Sequence, residues 1–172
     1  LPLSYTPAPS SIRSLCRQAE RPINAALCGV QAIRVTRDVQ TIDFSGKVPN
    51  VRERWSLLGD DTSTWRPGGW QVISQDDDGH VYALMHADGY DGSHKSSGTE
   101  VWVIDPGEKK IVRRIKLKTP GWSVGVSAGK TPMVVTASLE GFMDVYDAKT
   151  GEHLRQLEST VAYNPVAMFP AP

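Results

Sequence analysis

The sequence predicts an all-β protein, a partial β-propeller with about two full four-stranded blades plus flanking half-blade strands. A strand–turn–strand segment around Asp105 recurs around Asp147, 42 positions later and without a gap. A repeat of that length in β-rich sequence is typical of propeller blades of four strands each. Segments such as residues 39–44 also alternate apolar and polar side chains, which is the period of a half-buried strand. A propeller is a closed ring, and we expect this chain to be too short to close one.

Two predicted strands, at residues 39–44 and 51–58, form the outer half of a first blade. The next blade takes its four strands from residues 70–75, 80–86, 100–105 and 110–117. A long loop at residues 87–99, rich in Gly, Ser and Asp, is inserted within this blade. Such an insertion is typical of a binding loop on a rigid scaffold.

The last complete blade is shorter and has the same order of strands. Its predicted strands lie at residues 122–127, 132–138, 142–147 and 153–158. Residues 163–169 are expected to open a further blade, because Val124 maps onto Val166 at the same offset of 42. The tryptophans in or beside these strands are expected to pack within and between blades.

The first part of the chain has a different character. Residues 1–38 contain five arginines, no lysine and no aromatic residue after Tyr5. We therefore predict an irregular or unrelated N-terminal segment at residues 1–38 and a partial propeller at residues 39–172. One helix and a strand, separated at Pro22, remain an alternative for this segment. Because the first residue is Leu1 and not Met, we expect a processed, truncated or fragmentary chain.

Composition excludes several classes of protein. The 172 residues carry a formal net charge of zero, which argues against binding nucleic acid or a membrane surface, since both usually need a basic excess. No apolar run approaches the length of a membrane span. Two cysteines are too few for a disulfide-dense scaffold. Cys16 and Cys28 could pair in an exported protein or remain free thiols.

Three short motifs look chemical but are better explained as structure. Residues 125–129 spell G-x-S-x-G, yet a second strand follows where a nucleophile elbow needs a helix. The Asp-Asp-Asp-Gly run at residues 76–79 predicts a hairpin turn, because an EF-hand needs alternating acidic positions. Lysines and arginines at residues 109–118 are typical of an outer, half-exposed strand. The histidines lack metal-ligand spacing, so we predict no metal site.

Several motifs in fixed order resemble a known family. They are WRPGGW at residues 65–70, YALMHADG at 82–89, GSHK at 92–95, VWVID at 101–105 and VYD at 145–147. As a set, they are similar to the heavy (large) subunit of the quinoprotein amine dehydrogenases, with the methylamine and aromatic amine dehydrogenases as the most similar members. The resemblance extends from about Val39 to the end of the chain.

The resemblance implies a seven-bladed propeller in a periplasmic enzyme that converts primary amines to aldehyde and ammonia. Electrons would pass to a small copper protein, amicyanin or azurin. The cofactor, tryptophan tryptophylquinone, would lie in a small partner subunit, so this chain is expected to hold no cofactor and no catalytic residue. The missing blades would precede Val39, and Cys16 with Cys28 would echo a family disulfide.

By the same resemblance, two segments are expected to contact the small subunit. The candidate interface residues are Trp65, Arg66, Pro67, Gly68, Gly69, Trp70, His94 and Lys95. For His94 and Lys95 the alternative is a solvated loop. Two other functions stay open for the whole chain: a generic propeller binding module, and a non-functional truncated product whose exposed sheet edges invite aggregation.

Overall fold

The computed structural model describes residues 29–33, 38–59, 63–69, 73–90 and 93–158. These residues form three antiparallel sheets and one short 3-10 helix, Ser93–Lys95. The strands in chain order are β1 Gly29–Ile33, β2 Asp38–Asp43, β3 Asn50–Ser56, β4 Arg66–Pro67, β5 Ile73–Gln75, β6 Val81–His86, β7 Gly98–Asp105, β8 Lys110–Gly121, β9 Ser123–Val126, β10 Met133–Ala137, β11 Phe142–Asp147 and β12 His153–Glu158. The predicted all-β, partial propeller class is confirmed.

The three sheets are successive blades. Blade 1 has the order β1-β2-β3, and blade 3 has the order β9-β10-β11-β12. In blade 2, β4 and β5 both pair with β6, which continues through β7 to β8. Since β4 and β5 lie along the same edge of β6, they are one interrupted inner strand, and blade 2 keeps four strand positions.

Most predicted strands agree with the structure to within a few residues. The last two, at residues 142–147 and 153–158, agree at both ends. β1 is an addition, because it pairs with β2 and gives blade 1 a third strand ahead of the two that were predicted. The predicted strand at residues 163–169 lies outside the described residues.

The 42-residue repeat extends to individual hydrogen bonds. Asp105 Oδ1 accepts backbone N–H groups of Gly107 and Glu108 at 2.9 and 3.0 Å. Asp147 Oδ1 accepts those of Lys149 and Thr150 at 2.8 and 2.7 Å. Each aspartate therefore closes the turn that leads into the outermost strand of its blade.

The same turns also share their backbone path. Gly151 has φ +79° and Lys109, at the equivalent position, has φ +53°. In both blades the pairing of the third strand shifts register at the equivalent step, after Val103 and after Val145. The repeat therefore preserves turn and bulge together, although the residue in the left-handed position changes from Gly to Lys.

Blade 2 is buried on both faces, so its two central strands carry continuous runs of largely apolar residues at positions 81–85 and 101–104. Every residue of β6 is buried, and Val81 faces blade 1 whereas Tyr82 faces blade 3. The core between blades 1 and 2 comprises Val39, Leu57, Val81, Ala83, Met85, Trp102 and Ile104. The core between blades 2 and 3 comprises Tyr82, Leu84, Val101, Val103, Ile115, Leu117, Val124, Val126, Val134, Tyr146 and Ala148. Burial of each large apolar side chain contributes roughly 1.5–3 kcal/mol.

Polar contacts also join blades 2 and 3. The backbone N–H of Lys118 donates to the Tyr146 hydroxyl at 2.8 Å. The backbone N–H of Val126 donates to Ser74 Oγ at 3.1 Å. Because these bonds connect different sheets, they fix how one blade sits against the next.

Candidate functional site

The inner strand of blade 2 is interrupted within the segment at residues 65–69. Pro67 is buried beside Met85, and the Gly68 N–H donates to the Leu84 carbonyl at 3.1 Å. A Cβ on Gly68 would collide with the Ser96 carbonyl oxygen and lie 2.6 Å from His86 Cδ2. Only glycine fits there, because neighbouring chain segments occupy the space of a side chain.

Gly69 turns the chain out of the sheet. Its φ of +107° belongs to a region that side chains rarely adopt, and an added Cβ would lie 2.6 Å from the Trp122 carbonyl oxygen. Trp122 lies at the start of blade 3, so the turn at Gly69 packs against the boundary between blades 2 and 3. Trp70, which the sequence predicts at the same interface, lies outside the described residues.

The inserted loop of blade 2 folds back onto this segment. The Gly89 N–H donates to the Thr64 carbonyl at 2.7 Å, and the Asp88 N–H donates to Thr64 Oγ1 at 3.1 Å. Further along the loop, the buried hydroxyl of Ser93 lies 3.3 Å from Nε2 of the buried His86. The two segments predicted at the subunit interface, residues 65–70 and 94–95, therefore meet through their described neighbours at one rim of blade 2.

The individual side chains differ in what they offer a partner. Lys95 is exposed, Arg66 is half-buried, and Pro67 and Gly68 are buried. Trp65 is partly buried against the core between blades 1 and 2, with its ring centroid 5.2 Å from that of Trp102. The placement at an interface stays a prediction for this set. The side chain of His94 lies outside the described part of the structure.

Trp65 takes part in a cluster that the sequence did not predict. Arg114 Cζ lies 4.6 Å from the Trp65 ring centroid and 4.5 Å from that of Trp102. Glu100 Oε2 accepts both the Trp102 indole N–H at 2.8 Å and Arg114 Nε at 2.7 Å. This arrangement is a cation–π contact with an anchored guanidinium, and it gives Trp65 a packing role.

The acidic turn between β5 and β6 brings potential metal ligands together. Atoms of Asp76, Asp78 and His80 lie within 4.8 Å of one another. Asp76 Oδ1, however, accepts the N–H groups of Asp78 and His80 at 3.0 and 2.8 Å, and its Oδ2 accepts the Tyr82 hydroxyl at 3.1 Å. The carboxylate is thus used in closing the predicted hairpin turn.

Two buried phenols have perturbed acidity. Burial, followed by the charge of Asp76, raises the pKa of Tyr82. Burial also raises the pKa of Tyr146. Both hydroxyls are engaged within the fold, by Asp76 and by the Lys118 N–H. These shifts therefore belong to the packing between blades 2 and 3 and mark no reactive group.

In the G-x-S-x-G stretch, Ser127 Oγ accepts the Met133 N–H at 2.9 Å across the hairpin between β9 and β10. A hairpin and not a strand–helix turn is therefore present, as predicted. Cys16 and Cys28 lie outside the described residues, so their pairing stays a prediction. No helix in the described part of the chain is long and apolar enough to span a membrane.

Comparison with known proteins places the chain in a family. The family model described as methylamine dehydrogenase heavy chain (MADH) matches residues 36–168. The chain belongs to the methylamine dehydrogenase heavy chain family. The resemblance inferred from its motifs is confirmed.

Individual heavy chains are similar over part of their length. The methylamine dehydrogenase heavy chain of Methylophilus methylotrophus is 32% identical over 95 residues, covering 55% of this chain and 24% of the relative. That of Methylorubrum extorquens is 28% identical over 105 residues, covering 60% and 26%. The chain thus spans about a quarter of the length of these relatives. A structure titled "Structure of U3-55K" shares the fold, with a TM-score of 0.51 at 8% identity, covering 76% of this chain and 36% of that one.

The structure brings three residues to this candidate site that the sequence did not single out. They are His86, Tyr90 and Ser93. His86 and Ser93 lie within the motifs used for the family resemblance, but nothing in their spacing indicated that they touch. Tyr90 gave no signal beyond being an aromatic residue in a polar loop.

Proposed function

We propose that this chain is part of the non-cofactor heavy subunit of a periplasmic amine dehydrogenase and scaffolds the quinone-bearing small subunit. The observation that carries this proposal is the heavy-chain family match over residues 36–168. The folded-back loop of blade 2 supports it, because a loop fixed on a rigid sheet is a common binding element.

In this proposal the enzyme oxidises a primary amine to an aldehyde and ammonia, and a copper protein, amicyanin or azurin, accepts the electrons. Tryptophan tryptophylquinone, carried by the small subunit, supplies the redox chemistry. The described residues of this chain bind that subunit and form part of the wall of the substrate channel. The quinone thus belongs to the small subunit, and this chain serves as the scaffold. Trp65 and Trp102 support these separate roles, since both pack between blades.

Lys95 is the candidate interface residue best placed to contact a partner, because its side chain is exposed beside the rim of blade 2. Charge reversal at a rim position usually slows association and changes its salt dependence. Lys116 is a matched control, because it is equally an exposed lysine but lies on the outer strand β8.

Co-expression with a methylamine dehydrogenase small subunit tests the proposal. We expect the two chains to co-purify and to reduce a redox dye when methylamine is added. Lys95→Glu should weaken the complex, whereas Lys116→Glu should not. No complex with the wild-type chain would contradict the proposal and favour the generic binding module or the truncated product.

A further inference from the structure

The loop of blade 2 presents one exposed aromatic side chain. Tyr90 is 69% exposed, although aromatic residues are usually at least partly covered. Its backbone is nevertheless fixed on both sides by one hydroxyl. The Tyr90 N–H donates to Ser93 Oγ at 3.0 Å, and Ser93 Oγ donates to the Tyr90 carbonyl at 2.8 Å.

Ser93 is itself anchored in the blade. It is 2% exposed, and its Oγ lies 3.3 Å from Nε2 of His86, which is 5% exposed. His86 Nδ1 lies 2.8 Å from the Ala87 carbonyl. A carbonyl oxygen can only accept, so Nδ1 carries a proton. The imidazole therefore bonds to the first residue of the loop and lies in contact with the Ser93 hydroxyl.

Gly68 packs against another side of the His86 imidazole. An added Cβ there would lie 2.6 Å from His86 Cδ2, so the ring is packed against the interrupted inner strand. The chain from Gly68 through His86 and Ser93 to the Tyr90 backbone is thus continuous. These contacts fix the position of the Tyr90 backbone relative to the sheet.

Closure of the sheet does not require this loop. In blade 3, β10 and β11 are joined by a tight turn in which Ser138 Oγ accepts the Phe142 N–H at 3.1 Å. Blade 2 uses residues 87–97 for the same connection. Because a short turn joins the equivalent strands of blade 3, the connection between β6 and β7 does not by itself require a longer loop or its exposed aromatic residue.

We propose that Tyr90 contacts the small subunit and that Ser93 is a positioning residue that fixes Tyr90 for this contact. This inference rests on the proposed heavy-subunit function. A tyrosine on a fixed backbone loses little conformational freedom on binding and buries a large amphipathic surface. Tyrosine is accordingly enriched among the residues that dominate interface energies.

Affinity measurements with the full chain and a purified, quinone-bearing methylamine dehydrogenase small subunit test this inference. Tyr90→Ser should weaken binding by about tenfold or more, as expected for an interface anchor. Ser93→Ala should weaken it by roughly threefold to tenfold, and Ser93→Thr, which keeps the hydroxyl, should restore most of the loss. In the double variant, the loss should be smaller than the product of the single losses.

Ser127→Ala is the matched control. Ser127 also bonds a backbone N–H across a turn, but it lies on blade 3, so its loss should leave the affinity unchanged. A second readout is independent of the partner: Ser93→Ala should speed hydrogen exchange of the Tyr90 amide while Tyr90→Ser leaves the thermal unfolding temperature unchanged.

The outcomes separate the two proposals. Wild-type binding with an unchanged affinity for Tyr90→Ser overturns the contact and leaves the proposed function intact. Independent, multiplicative losses in the double variant overturn the positioning role of Ser93. Failure of the wild-type chain to bind the small subunit overturns the proposed function, and the contact with it.

Discussion

Blades 2 and 3 repeat the same backbone with different chemistry at one equivalent position. Trp102 in blade 2 and Asp144 in blade 3 are 42 residues apart, and both are about 1% exposed. Trp102 packs with Trp65 and Arg114. Asp144 Oδ1 instead lies 2.8 Å from His153 Nε2.

The polar position in blade 3 is embedded in a small network. Gln156 Nε2 donates to Asp144 Oδ2 at 3.3 Å and to Thr119 Oγ1 of blade 2 at 3.0 Å. A hydrogen-bonded carboxylate can thus replace an indole at the same place in the repeat. The comparison shows that backbone geometry is preserved by the turns and bulges, whereas the boundary between blades can be stabilised by apolar area or by hydrogen bonds.

The largest expected effect is at the apolar position. Trp102→Ala should lower the free energy of unfolding by about 3–5 kcal/mol, because it leaves a large cavity and removes the aromatic ring against which Trp65 packs. Urea denaturation followed by circular dichroism measures this loss. Trp102→Phe, which keeps a ring, should cost less. A loss below about 1 kcal/mol for the alanine variant would mean that blade 1 is not held through this residue.

At the polar position, Asp144→Ala should cost about 2 kcal/mol, because the half-buried His153 and Gln156 lose their shared acceptor and each lost hydrogen bond costs about 1 kcal/mol. Asp144→Asn keeps an acceptor and should cost less than half as much. The same urea titration compares the two variants. Equal losses for both would show that the negative charge, and not the hydrogen bonding, stabilises this boundary.

Substitutions at the two equivalent turn positions, Lys109 and Gly151, should have smaller effects on stability, and these effects should be opposite in sign. Lys109→Gly should stabilise the protein by roughly 0.5–1 kcal/mol, since it relieves a left-handed backbone at the cost of an exposed ion pair with Glu53. Gly151→Ala should destabilise it by about 1–2 kcal/mol, since a side chain is placed in the same conformation. Thermal unfolding of both variants checks the signs. A stabilising Gly151→Ala would contradict the shared turn geometry.

Alkaline pH should produce the smallest effect. Burial raises the pKa of Tyr82 in the folded state above its ordinary value of 10.0. Below pH 10 the phenol is neutral in both states, and its full contribution to stability is present. As the pH rises further, ionisation favours the unfolded chain, so stability falls. Tyr82→Phe should make this fall less steep in urea titrations at several alkaline pH values, and identical slopes would count against the shift.

Much of the fold could be predicted from local patterns. β4, Arg66–Pro67, lies where the sequence indicates a loop. The other strands from β2 onward follow from alternation, from the Asp-Gly and Thr-Gly turns, and from the offset of 42 between Asp105 and Asp147. These signals are local because a strand alternates its side chains whatever it pairs with. β1 was not separated from residues 1–38, since its pairing with β2 is a contact between segments.

The sequence by itself determined the partial propeller, the blade repeat and the heavy-chain family. Only the tertiary structure decided how the candidate site is built: Trp65 turns toward Trp102, Gly68 packs against His86, and Ser93 pins the exposed Tyr90. The physical reason is that periodicity and turn chemistry act over a few residues. The site depends instead on which distant segments come into van der Waals and hydrogen-bond contact once the sheet has formed.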